Sequence, residues 1–472
     1  MVPITEVTLN QLLNESLTTV DPLLTSWRLF AFFFIHGGWA PILAAILYGL
    51  WSGWLFYIHH KYDHKRPWVL LAIDVPKDNE QTPKAIESIF AHLAGAHGSL
   101  TKSEIYWAGV TQDWFSLELI SIDGYVQFLI RTAVRFRDLV EAAVYSQYPD
   151  AVITEVEDYT KGYPSVFPDE RYQMYGTEFL QVDNQAYPIR TYPEFEYPLT
   201  KEFKDPMLAL LETFHKLGPG EQLWLQIIIV PIEQEEWKKK AVHLIRKLIG
   251  ETKHRGGGLL GGVMKEVGRI SQEMSGQVSG TGSVVDAHRS AAPPKPPNLM
   301  LYLPPDQKEK VEGITRKIKK IGFETKIRSI YIATKERFNV YHGREALVGA
   351  IKQFNTNDLN SLKPDTHHIG IHAHYLFTEW RKNWKRMRLM RWYKRRSPEF
   401  GAFPFVMNIE ELATIWHFPA KTMMVPMRHM VQKTDFKRIA PPSSLPFAGE
   451  RTGTTVSSSA KSIEVPNNLP VH

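Results

Sequence analysis

One long stretch of this chain carries no fixed charge. From Leu29 to Ile58 there is no Lys, Arg, Asp or Glu, and His36 alone could hold a proton. A helix of that length would cover about 45 Å, against roughly 30 Å for the hydrocarbon core of a bilayer. His36-Gly37-Gly38-Trp39-Ala40-Pro41 interrupts the run near its middle. The pattern predicts a transmembrane anchor within residues 27–58. Trp39 or Pro41 to Ile58 would be the spanning helix, and Ser26–Phe34 would lie in the interface or continue the span at a tilt. A buried core helix is the plainer alternative, but few soluble helices go this long without a charge.

Beyond the anchor the periodicity alternates between two and 3.6. Trp68–Val75 is an apolar run closed by Pro76, as for a strand, and Thr82–Leu93 places Ile86, Ile89, Phe90 and Leu93 on one helical face. Glu104–Val110 and Trp114–Ile122 read as strands. Asp123-Gly124 then separates Trp114–Ile122 from the alternating run Tyr125–Arg131, a strong hairpin signal. A helix over Arg135–Tyr148 and a strand over Ala151–Val156 follow. This order matches the split βαβ pattern, so residues 67–160 are expected to form a ferredoxin-like domain.

Residues 161–204 are aromatic, acidic and broken by proline, and are expected to be an extended connector packed on its neighbours. The pair Glu194 and Glu196 could suggest acid–base chemistry, but alternation on an exposed strand explains it as simply. A second round of elements begins near Asp205: a helix over Pro206–Leu217, a strand over Glu221–Pro231 and a helix over Glu233–Ile249. Helices over Pro305–Ile321 and Arg344–Phe354 then flank a strand over Glu324–Thr334. A Gly/Ser- and Pro-rich stretch, residues 251–297, interrupts this round as an insertion or linker. The expected fold is α+β: a single N-terminal transmembrane helix followed by two ferredoxin-like (split βαβ) α/β modules, the second over residues 205–375. A basic amphipathic segment over 376–397, a segment over 398–447 and a tail over 448–472 complete the chain.

Charge refines this picture. Glu6, Glu15 and Asp21 precede the apolar run against Arg28, whereas His59-His60-Lys61-Tyr62-Asp63-His64-Lys65-Arg66 follows it. The positive-inside rule then puts residues 1–26 outside as a tail and residues 59–472 in the cytoplasm. An acidic start and the lack of a small-residue cleavage site argue against a signal peptide. The net charge of +6 hides an asymmetry, with 17 acidic residues against 6 basic ones over 146–236 and 15 basic against 6 acidic over 361–440. Such a split suits either a basic surface facing phosphates or two regions attracting one another. The chain has no cysteine, which excludes disulfides, thiol catalysis and cysteine-ligated metals.

Candidate chemistry is sparse. No G-x-x-x-x-G-K-[ST] run occurs, and the Gly-rich stretches 256–262 and 280–283 lack the Lys and Ser/Thr that hold phosphates and Mg²⁺. His368, His372 and His374 would share one face of a strand and could hold a metal, or simply form the strand's polar face. Between Arg381 and Arg396 stand nine basic residues: Arg381, Lys382, Lys385, Arg386, Arg388, Arg391, Lys394, Arg395 and Arg396. Phe377, Trp380, Trp384 and Met387 recur among them at helical spacing. Three readings stay open: a helix on an anionic membrane leaflet, a nucleic-acid groove with stacking aromatics, or a solvated helix packed on its own domain.

Asp113–Ser121, Tyr125–Arg131, Phe136–Ala142 and Tyr148–Ala151, followed by Ala350–Asn360 and Asn408–Pro419, resemble in sequence and order a region of certain bacterial motor proteins. That region lies ahead of the motor in membrane-anchored ATPases of the type IV secretion and conjugative coupling class, related to HerA/FtsK-like translocases. The resemblance covers roughly residues 40–447. In that family a P-loop domain follows, whereas here Leu445-Pro446-Phe447 leads into a Ser/Thr/Gly tail, so no catalytic residue can be carried over. The resemblance implies no enzyme activity and no cofactor. It implies an inner-membrane scaffold, in all expectation a homo-oligomer, that recruits a separate P-loop ATPase to a secretion or DNA-translocation machine in the bacterial cytoplasmic membrane. Glu410, Glu411, Trp416 and His417 are the candidate docking residues; the alternative is a helix capped by Asn408 with Leu412, Ile415 and Trp416 in the core. A membrane-tethered nucleic-acid-binding protein without a motor partner is the alternative function.

Overall fold

The structure is a computed structural model that describes residues 31–32, 34–76, 79–196, 204–249, 303–366 and 369–419. Residues 1–26, expected to be an external tail, the stretch 251–297 and the tail 448–472 lie outside the described residues, as do residues 420–447. Its first long element is α1 (Trp39–Lys65), preceded by a π-helical turn over Phe34–Gly38. Pro41 lies in the first turn of α1 and Gly38 before it is already in helical conformation, so the Gly-Gly-Trp-Ala-Pro stretch does not break the helical path.

The next elements are β1 (Trp68–Asp74), α2 (Pro83–Leu93), β2 (Phe115–Ile122), β3 (Tyr125–Ala133), α3 (Arg137–Gln147) and β4 (Val152–Glu155). The hairpin forms as its turn chemistry demands. Ile122 pairs with Tyr125, while Asp123 and Gly124 both take positive φ, 54° and 84°. A second series follows: β5 (Tyr172–Gln181), α4 (Met207–His215), β6 (Glu221–Pro231), α5 (Gln234–Leu248), α6 (Pro305–Ile318), β7 (Gly322–Thr334), α7 (Ala346–Lys352) and β8 (Leu362–Pro364). The described chain closes with α8 (Thr378–Arg395), β9 (Phe405–Asn408) and α9 (Ile409–Ile415).

Among the described residues all nine strands belong to one antiparallel sheet in the order β4-β1-β3-β2-β6-β7-β5-β8, with β9 extending the line of β5 along β7. The halves β4-β1-β3-β2 and β8-β5-β7-β6 repeat one strand order about the β2–β6 pair, where Phe115–Ile122 lies against Gln222–Ile229. Residues 161–204, expected to be a connector, thus supply the strand β5 to the second half.

Two predicted strands are not strands. Glu104–Ala108 is a π-helical turn against α1: the Ile105 carbonyl meets the His59 ring at 3.1 Å, and Tyr106 packs on Trp51 with ring centroids 5.8 Å apart. The apolar Ile105-Tyr106-Trp107 run therefore serves a helix surface, not a sheet. Residues 369–374 form no strand either, because the chain turns back on itself there. The Gly370 N–H donates to Asp365 O and the His372 N–H to Gly370 O, leaving no ladder to join.

Alternation assigns the two sheet faces. Leu71, Leu117, Leu119, Ile227 and Tyr331 point to the face covered by α2, α3, α4, α7 and α9. Ile120, Trp224, Ile330 and Met174 point to the other, where Leu389, Met390 and Tyr393 of α8 pack. The helices α5 and α6 pair with each other through Trp237, Ala241 and Ile314, against Val406 of β9. The architecture is helices, sheet, then one long basic helix.

Candidate functional surface on the basic helix

A helix as cationic as α8 lies on a sheet only if its inner face is apolar and the charges meeting the sheet are paired. The sheet supplies both. Across its middle runs one register row, Glu118 on β2, Gln226 on β6, Arg328 on β7 and Glu178 on β5, each beside the next and all buried. Arg328 Nε donates to Glu178 Oε1 at 2.6 Å, and its Nη2 donates to Phe400 O. Gln226 Nε2 donates to the Tyr393 carbonyl at 3.1 Å.

Glu118 receives the end of α8. Arg396 follows the last helical residue with φ 54°, the left-handed conformation that glycine usually supplies there. That turn directs its guanidinium inward. Nε donates to Glu118 Oε1 at 2.5 Å, Nη1 to Asp158 Oδ2 at 2.6 Å, and Nη2 to both carboxylates at 3.1 Å. Tyr159 Oη donates to Glu118 Oε2 at 2.8 Å and lies 2.9 Å from Tyr393 Oη. Burial works against the charge on Arg396, but Glu118 and Asp158 outweigh it and hold the guanidinium well above its ordinary value. Burial also opposes the Asp158 carboxylate, yet Arg396 and Thr160 prevail and bring it down to about 2.

The nine cations of this segment separate by environment. Lys385 Nζ donates to the Gly370 and His372 carbonyls, both at 3.0 Å. Arg386 Nε donates to Met174 O at 3.1 Å, and Lys394 Nζ to Tyr163 O at 2.6 Å. Burial lowers the pKa of Lys385, Arg386, Arg388 and Lys394. Lys382 pairs with Glu379 at 2.9 Å, Arg381 donates to His374 O at 3.0 Å, and Arg388 lies between the Trp384 and Trp392 rings. Arg381, Arg391 and Arg395 are exposed, whereas Arg396 is buried. The basic run is thus part buried clamp and part open surface. At its start Tyr375, Leu376, Phe377 and Trp380 are exposed, Tyr375 at 92%.

The histidine cluster does not assemble on a strand. His372 lies beside Tyr175, its Nε2 3.4 Å from Tyr175 Oη, with its pKa lowered by burial and by Arg344 and Lys385; His374 is exposed, and His368 lies outside the described residues. Among the described residues no group of three His, Asp or Glu side chains is placed to hold a metal.

Glu410, Glu411, Trp416 and His417, candidates for docking, are all buried. Asn408 caps α9: its side chain accepts from the Glu411 N–H, and Glu411 reaches back to the Asn408 N–H. Glu411 also pairs with Lys317 at 3.0 Å, both fully enclosed, while Lys320 pairs with Glu410 and Glu87. His417 Nε2 lies 2.9 Å from Asp205 Oδ1, and Trp416 packs against Phe128 and Phe90. In this conformation these four side chains tie α9 to the sheet and present nothing to a partner.

Sequence reasoning missed Glu118, Asp158, Arg328 and Glu178. A signal existed for Glu118, a lone charge inside the apolar run Phe115-Ser116-Leu117-Glu118-Leu119-Ile120. Its partners lie far away in sequence and could not be read from it. Among the described residues nothing covers most apolar side chains of α1: Trp39, Ile42, Leu43, Ile46, Leu47, Leu50 and Trp51 are exposed, and the helix is long and apolar enough to cross a membrane. No protein-family model matches this chain, and no curated protein matches it significantly.

Proposed function

We propose that this protein is a non-enzymatic, membrane-anchored scaffold of a type IV secretion-like or DNA-translocation machine, working with a separate ATPase. The observation that carries the reading is the pairing of α1, an apolar helix with no covering layer among the described residues, with a large body whose buried ion pairs fix one cationic helix against the sheet. Such a body suits a platform, since its charged network is spent on holding elements in place and leaves an aromatic and basic helix end open. The repeated strand order of the two halves supports two ferredoxin-like modules fused through β2 and β6. The basic residues after α1 support an orientation with the body on the cytoplasmic side of a bacterial inner membrane.

With Asn408–His417 enclosed, the surface offered for recruitment is the start of α8, around Phe377, Trp380 and Arg381. The test is a photo-crosslinking residue at Trp380 in membranes of the native host, with mass spectrometry of the captured species. Capture of a P-loop ATPase supports the scaffold. Capture of copies of this chain alone, with no ATPase in any fraction, ends it. The exposed Trp380 and Trp384 beside Arg381 and Arg388 also suit base stacking, which favours the tethered nucleic-acid binder as the second reading. Salt-steep binding of single-stranded DNA, lost in Trp380→Ala, supports that reading, and salt-insensitive or absent binding ends it.

A further inference from the structure

Where α1 meets the sheet, its last turns, the start of β1 and the loop after α8 enclose a cleft of about 410 Å³. Two donors in its lining are buried without a hydrogen-bond partner among the described residues: Arg131 Nη1 and Trp114 Nε1. The Arg131 guanidinium stacks on the Trp68 ring at 4.3 Å and has no ion pair among the described residues. Only Nη1 of this half-buried side chain is closed off without a partner, and the Glu118 and Asp158 carboxylates favour its charge without forming an ion pair with it. Burial, with Arg396 beside it, pulls the guanidinium down to about 9. Arg396, at the end of α8, pairs with two carboxylates, and Arg328, on β7, pairs with one.

A buried N–H left without an acceptor is expensive, and native chains rarely keep one without a partner or bound group. The cleft adds two more cations, Lys61 and Arg395, which have no ion pair among the described residues. Two carboxylates also line it. Asp63 is already engaged, accepting from the Thr111 hydroxyl at 2.5 Å and facing Arg66 at 3.6 Å. Glu399 stands at the exposed rim of the cleft, its carboxyl raised by partial burial and by Asp63 and lowered by His59, His60 and Lys326. The two donors without a partner are an N–H of a planar guanidinium and an indole N–H, both suited to an oxyanion.

We propose that this cleft binds a phosphate-class oxyanion, with Arg131 and Trp114 as its donors and Lys61 and Arg395 as its flanking charges. Two sources share that chemistry, the headgroup of an anionic lipid and a free phosphate ion. Only the lipid source rests on α1 crossing a membrane. That source fits the location, since the cleft opens beside the residues that follow the apolar part of α1, where headgroups lie.

The test uses the full chain, purified in neutral detergent, with thermal unfolding followed as inorganic phosphate is titrated at constant ionic strength. A parallel arm uses nanodiscs of phosphatidylcholine with and without phosphatidylglycerol, with native mass spectrometry of retained lipid. Arg131→Met keeps a stem over Trp68 and removes the guanidinium; Trp114→Phe removes the indole N–H. The wild-type Tm should rise by a few degrees with phosphate or with phosphatidylglycerol. The rise should vanish in Arg131→Met and shrink in Trp114→Phe, and Arg131→Met should melt no lower than wild type when no anion is present. A response to both ligands assigns a general phosphate site, and a response to phosphatidylglycerol alone assigns the lipid. A wild type indifferent to both, or variants responding as wild type does, overturns the proposal. If Arg131→Met fails to fold, an unreduced response in Trp114→Phe overturns it alone. A chain that never partitions into membranes yet answers to phosphate ends the anchor and keeps the site, whereas a membrane-bound chain that answers to neither does the reverse.

Discussion

Replacing Arg396 with Met should cost more than any other single substitution at the α8–sheet contact. The substitution removes a guanidinium that donates to Glu118 at 2.5 Å and to Asp158 at 2.6 Å, in a place where Arg396 and Glu118 are both fully buried. What remains is two carboxylates facing each other, one of them with no water to turn to. Removing one partner of a buried pair costs about 3–5 kcal/mol, and here two acids lose their cation at once, so the upper end, about 5 kcal/mol, is expected. Glu118→Gln, which leaves Arg396 paired with Asp158, should cost about half of that. The double variant should cost less than the sum by roughly 2 kcal/mol, because it strands neither charge in the core. Denaturant unfolding of the full chain in detergent, followed by tryptophan fluorescence, measures this. Trp224 is a suitable reporter, being fully buried and packed against Tyr159 and Tyr393. An Arg396→Met cost below about 1 kcal/mol, or additive single costs, would refute the claim that this network docks the helix.

Acid should release the same element. Asp158 is depressed to about 2, so its stabilisation of about 2 kcal/mol is complete above its unfolded value near 4 and is lost as pH falls through about 2; Asp158→Asn should flatten that part of the stability–pH curve. Lys326 runs the other way, held down to about 8 by burial and Arg328, so the fold opposes its charge and stability should climb between pH 8 and 10, a rise that Lys326→Met should abolish. At Gly176 an added Cβ would lie 2.6 Å from Leu389 Cδ2 and 2.9 Å from Ser329 O, so Gly176→Ala should push α8 off β5, cost about 1–3 kcal/mol, and open the helix to protease. Trp107 is 74% exposed beside Tyr106, which packs on Trp51 of α1. Because the chain has no cysteine, Trp107→Cys takes a single polarity-sensitive dye, whose emission should shift blue in nanodiscs relative to detergent-free buffer; no shift would place this turn away from the bilayer.

The elements set by short-range chemistry were legible in the residues. The charge-free run of α1, the Asp123-Gly124 hairpin, and the helices and strands of residues 67–160 each follow from a local period or a turn rule. The Asn408 cap likewise follows from three neighbouring positions. Where the sequence misled, the deciding partner was distant. Glu104–Ala108 has the composition of a strand but meets the side of α1, and residues 369–374 alternate like a strand but find no ladder after β8. The strand β5 sits in a stretch that composition marks as a connector, and its pairing with β7 depends on a segment about 150 residues away. The basic helix holds the sharpest division. Its nine cations were visible as a run, but a count of charges is blind to depth. Only the fold places Arg396 opposite Glu118 and Asp158, leaves Arg391 in water and strands Arg131 in a cleft, because burial and counter-charge are properties of the packed chain and not of the residue.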